Sequence, residues 1–86
     1  MADAQSAEWS AYRRDEQRRA SAALADAADK SNACRVVEER LKAQGRDHTT
    51  DPGWRRAVRE FDRAVVTAAG HGFDLQLIDD EACRRR

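Results

Sequence analysis

Apolar positions between Ser6 and Gln44 recur at helical spacing, and neither Gly nor Pro interrupts them. Placed at about 100° per residue, Trp9, Tyr12, Ala20, Ala23, Ala27, Cys34, Val37 and Leu41 fall on one stripe of a helix. Alanine, the strongest helix former, fills much of that stripe, so it is narrow and lets a second helix approach closely. Glu16 and Lys30 fall on or beside the stripe and make the seam imperfect. Lys30, Ser31 and Asn32 are weaker helix formers, and Ser31 or Asn32 could cap a fresh helix. The stripe nevertheless keeps its phase across them, which favours one unbroken rod. Gly45 follows at the position where a helix end wants a left-handed residue.

Arg46 to Thr50 reads as a polar connector. Asp51-Pro52 is a start signal: the aspartate accepts from exposed amides, and proline at the first helical position lacks an amide that would go unpaired. The helix that follows carries Trp54, Val58, Phe61, Val65 and Ala68 at alternating spacings of four and three, a bulkier seam than the first. Gly70 and Gly72 end it. In the tail, Phe73, Leu75 and Leu77 alternate like a strand, whereas Leu75, Ile78 and Ala82 suit a short helix capped by Asp74. Asp79, Asp80 and Glu81 ahead of Arg84, Arg85 and Arg86 match a helix dipole, and a lone strand would lack a partner edge, so the helix is favoured.

These elements predict an all-α fold: a helical hairpin or small antiparallel helix bundle with a short C-terminal helix. The bulky seam of the second helix fills the alanine groove of the first. One domain covers residues 1–86, with flexible ends at 1–5 and 84–86.

Composition adds two constraints. Leu, Ile, Val and Phe together stay below about 20% of the chain, where disorder becomes a concern. The zero formal net charge and the periodic apolar spacing oppose that reading, because the chain does not repel itself open. The core is therefore thin, and self-association to a homodimer is an expected way to complete it. Balanced charge also argues against indiscriminate coating of nucleic acid, which needs an excess of Lys and Arg. No apolar run approaches a membrane span, no leader opens the chain, and two cysteines are too few for a disulfide framework; a cytoplasmic protein with free thiols is expected.

Catalytic constellations are weak. Cys34, His48, His71 and Cys83 could in principle ligate zinc, but their separations match no finger or ribbon, so no metal and no cofactor are expected. Gly70-His71-Gly72 lacks a phosphate-loop pattern. The paired acids Glu38-Glu39 and Asp79-Asp80-Glu81 are explained by solvated faces and helix-start electrostatics, and a small helical hairpin has little room for a pocket. The chain reads as a non-enzyme.

Two surfaces stand out. Arg55, Arg56, Arg59 and Arg63 project between roughly 100° and 200°, opposite the Trp54–Phe61–Val65 seam, as a cationic face interrupted mainly by Val66. Guanidinium forks suit an acidic protein surface, or phosphates. An ordinary solvated face in an arginine-rich composition is the plain alternative, supported by Glu60 and Asp62 nearby. Trp9 and Tyr12 lie near the free end of the longer helix, beyond what the shorter one can cover, and suggest apolar docking. The expected function is that of a protein-interaction or regulatory protein binding through these residues; a nucleic-acid-binding regulator using the arginine face is the alternative.

Overall fold

The computed structural model describes the backbone of residues 2–86 and the side chains of residues 7–86. Of the expected flexible start at 1–5, Met1 lies outside the described residues, and residues 2–5 belong to the first helix. The described residues form three helices and no strand: α1 (Ala2–Ala43), α2 (Pro52–Gly70) and α3 (Leu75–Arg84), with a 3-10 turn at His48–Thr50 ahead of α2. The result is all-α, a helical hairpin completed by a short C-terminal helix, with extents of 67 × 22 × 16 Å.

Local chemistry sets the ends of these helices. The 42-residue α1 passes through Lys30, Ser31 and Asn32 without a break. At its end Arg46 N–H donates to Leu41 O (2.9 Å) and Gly45 N–H to Lys42 O (3.0 Å), with Gly45 at φ +70°. This paired arrangement satisfies carbonyls that the helix would otherwise leave bare, and it needs a residue tolerant of positive φ. The end of α2 repeats it: Phe73 N–H donates to Ala68 O (3.1 Å), Gly72 N–H to Ala69 O (3.0 Å), and Gly72 sits at φ +91°. Phe73, just past that turn, packs on the core cluster that contains Ala68. The starts are equally explicit. Asp51 accepts from Trp54 N–H (3.0 Å) ahead of Pro52, and Asp74 accepts from Leu77 N–H (2.9 Å).

The core is built of small residues. Ala23, Ala27, Ala28, Leu41, Ala64, Ala68, Ile78 and Ala82 are buried, and Leu24, Phe61, Val65 and Phe73 pack around the central group. α1 is the spine against which both α2 and α3 lie. Alanine on both α1 and α2 lets those helices approach closely, and the larger side chains fill the flanks. Ile78 is the one large side chain sealed completely from solvent among the described residues.

α3 is fixed to α1 by polar clamps. Asn32 Nδ2 donates to Ala82 O (3.0 Å), and Arg86 Nε donates back to Asn32 Oδ1 (3.2 Å). Arg85 donates from Nε and from a terminal nitrogen to the two oxygens of Asp29 (2.8 and 3.1 Å), which holds the Asp29 carboxyl below its ordinary range. Asn32, one of the candidates for starting a new helix, instead receives the C-terminal end of α3. The phase of α3 differs in one place from the sequence pattern. Ile78 and Ala82 are buried, but Leu75, expected on their face, is 62% exposed, and Leu77 is exposed too. Leu75 opens α3 with its side chain outside the core cluster, although Phe73 just before the helix packs against that cluster.

Candidate functional site

The length mismatch between the helices creates the first surface. α2 gives out at Gly70, and His71 follows with Nδ1 at 3.2 Å from Glu16 Oε1. That contact marks the level on α1 where the cover ends. The part of α1 preceding Glu16 runs on alone for about 14 residues, or ~21 Å at 1.5 Å per residue. Because α1 is one unbroken helix, the seam that buries Ala23 and Ala27 below continues into this segment, and Trp9 and Tyr12 occupy it.

With nothing packed over them, Trp9 and Tyr12 are each 59% exposed. Their rings stack with centroids 5.7 Å apart and planes within 8°, and the Arg13 guanidinium carbon lies 5.6 Å from the Trp9 ring centroid. This gives a small aromatic plate with a cation over the Trp9 ring. Beside it, Tyr12, Arg13, Glu16, Gln17 and Ala20 line an open groove of about 400 Å³ whose end wall is Gly70 and His71. The groove lies where α2 would run if it were longer.

The arginine face of α2 is the second surface. Arg55, Arg56, Arg59 and Arg63 are all exposed. Some arginines meet acids, Arg19 with Asp15, Arg35 with Glu39, Arg46 with Asp51 and Arg85 with Asp29, whereas Arg13, Arg14, Arg18 and Arg40 of α1 make no ion pair among the described residues. Among the described residues none of the four α2 arginines has an acidic partner within ion-pair distance. Arg55 Nε donates to Thr49 O (3.0 Å), which ties the start of the strip to the 3-10 turn. Of the two acids expected near the strip, Glu60 reaches instead toward Lys30 of α1 (3.8 Å), and Asp62 makes no ion pair with the strip among the described residues. Val66, which interrupts the strip, is 72% exposed. The two surfaces are separate: the aromatic plate is on the free end of α1, and the strip is on the outer side of α2.

The remaining reactive side chains are dispersed. His48 is half-buried, edge-on to Trp54 (centroids 4.9 Å apart, 76°), with Nε2 at 3.3 Å from Glu38 Oε1. Glu38 also pairs with Lys42 (2.9 Å), which holds its carboxyl below the usual range. Trp54, on the apolar seam, is half-buried against that imidazole. Cys34 and Cys83 are free thiols; burial, with Asp62 and Glu60 nearby, pushes the Cys34 thiol up. Among the described residues no three of His, Cys, Asp or Glu converge where a metal ion could be held, and no helix is long and apolar enough to cross a membrane.

Sequence reasoning did not find the Glu16–His71 contact. Its signal was the pair of charged residues, Glu16 and Lys30, lying on an otherwise apolar seam: each meets a partner from α2 or its end. The Asp29–Arg85 clamp carried no such signal, since 56 positions separate its members. Comparison with protein-family models, curated proteins and solved structures finds no match to this chain.

Proposed function

We propose that this is a small non-catalytic interaction protein, of a regulatory or adaptor kind, that binds a protein partner with an acidic surface and also associates with itself. The observation that supports this most directly is the exposed Trp9–Tyr12 plate on a segment of α1 with no covering helix. A stacked aromatic pair beside a groove, with a cation over the Trp9 ring, has the make-up of an interface anchor, where Trp, Tyr and Arg are enriched. The arginine strip supplies the complementary charge: Arg56, Arg59 and Arg63 stand without acids of their own, so a carboxylate-rich partner adds pairs without breaking existing ones. Free thiols accord with a cytoplasmic setting.

The test is affinity capture from the native cell with wild-type chain, a Trp9→Ala/Tyr12→Ala variant, and a variant with Arg55, Arg56, Arg59 and Arg63 all changed to Ala. All substitutions are on exposed positions, so circular dichroism should be unchanged. The expected result is an acidic partner retained by wild type and lost or weakened with each variant. A partner retained equally by all three forms overturns the assignment of these surfaces. Nucleic acid is the second reading, favoured by the same unpaired arginines. It predicts duplex binding at low salt, a steep loss as salt rises, and loss in the four-arginine variant; no binding at low salt removes it.

A further inference from the structure

We infer that a second copy of this chain covers the free end of α1: the unaccompanied segments of two α1 helices pair antiparallel, Trp9 of each against Tyr12 of the other. This rests on the reading of the aromatic plate as an interface and names one occupant for it.

Topology selects the direction. The plate lies on the seam that α2 fills further down. In a parallel pair, both α2 helices would have to fit between the two α1 helices from Glu16 onward. The α1 axes, about 8–10 Å apart at the plates, would need roughly three times that separation there. α1 holds no Gly or Pro and is unbroken from Ala2 to Ala43, so it does not fork. In an antiparallel pair the two bodies lie at opposite ends, and each incoming helix runs along the line that α2 vacates, through the groove bounded by Gly70 and His71.

Phase and charge agree with that direction. Trp9, Tyr12 and Glu16 alternate by three and four, the spacing that keeps one face toward a neighbouring helix. A two-fold axis across antiparallel helices brings like flanks together. Glu8, Asp15 and Arg19 share the flank on the Tyr12 side of the seam. Arg19 folds back one turn onto Asp15 (2.9 Å), so its guanidinium stands at the level where Glu8 of the second copy arrives. The acids of the two copies therefore meet across a cation.

Area sets the strength. Fully buried aromatic side chains cover about 150–250 Å² each. Four of them, each more than half exposed in the monomer, remove roughly 400–600 Å², and flanking positions bring the total to the order of 1,000 Å², the low end for specific interfaces. The dimer is reversible and concentration-dependent.

The test is sedimentation of the full chain from low micromolar to near-millimolar concentration, with small-angle scattering of the associated species. With Trp9 set against Tyr12 of the second copy, the two α1 helices overlap over about 18 residues or ~27 Å, and two 67 Å rods then give a dimer with a longest dimension of ~110 Å. The Trp9→Ala/Tyr12→Ala variant should keep its helicity and dissociate at least tenfold more readily, and salt should weaken the wild-type dimer. A chain that stays monomeric at all concentrations overturns the inference. So does a compact dimer no longer than one rod, or a dimer indifferent to the double substitution; the compact form leaves self-association itself standing. Capture of an acidic partner is a separate readout, so either idea can fail without the other.

Discussion

Ile78→Ala probes the core at its one large sealed side chain, which is 1% exposed and surrounded by Ala27, Ala64 and Ala68. The substitution removes three carbons that water does not reach. At about 0.8 kcal/mol per methylene, the transfer loss alone is ~2.4 kcal/mol. The alanines of the cluster have no rotamers with which to refill the void, so any repacking falls to Leu24, Phe61, Val65 and Phe73 around it. Unless the helices shift, an open void adds roughly 1–2 kcal/mol at about 24 cal/mol per Å³. The expected cost is about 2.5–4 kcal/mol, against a total stability of roughly 4–13 kcal/mol for a chain of this length. Urea unfolding followed by circular dichroism measures it directly, and the melting temperature should fall by about 10–30 °C. Leu75→Ala is the matched control: same helix, similar volume change, but 62% exposed, with an expected change within about 0.5 kcal/mol. Equal losses for the two variants would refute the phase of α3, and no loss for Ile78→Ala would show that the surrounding Leu24, Phe61, Val65 and Phe73 refill the void.

Two further predictions follow from local geometry and thiol chemistry. Gly72→Ala places a Cβ at φ +91° and should cost about 1–2 kcal/mol, whereas Gly70→Ala, in open space within α2, should gain about 0.5 kcal/mol; opposite signs in urea unfolding are the check. Alkylation at mildly alkaline pH should modify exposed Cys83 roughly tenfold faster than Cys34, whose thiol is partly covered and pushed up; peptide mapping that finds Cys34 modified first overturns this.

What the sequence determined by itself is the set of features encoded within a few residues of where they act. The starts of α2 and α3 were legible because Asp51 and Asp74 accept amides only three positions on, and the turn at Gly45 because one residue supplies the positive φ. The all-α class was legible because helical periodicity repeats every turn; the expected filling of an alanine groove by a bulky seam was not what formed, since Ala64 and Ala68 are the buried residues of α2 and Phe61 and Val65 pack at the flanks. The exposure of Trp9 and Tyr12 could be anticipated from the unequal lengths of the two seams.

Only the tertiary structure decided the rest. Leu75, Ile78 and Ala82 are equivalent in the sequence pattern, and which of them is buried depends on where the Gly72 turn sets α3 down on α1. Asn32 could start a helix or hold one in place, and the choice was made by Ala82 and Arg86, more than fifty positions away. Whether the arginine strip stands free depended likewise on Glu60 turning toward Lys30 instead of its neighbours on α2. Periodicity specifies a face relative to its own helix axis; it says nothing about the rotation and height at which another helix docks, and those set every long-range contact here.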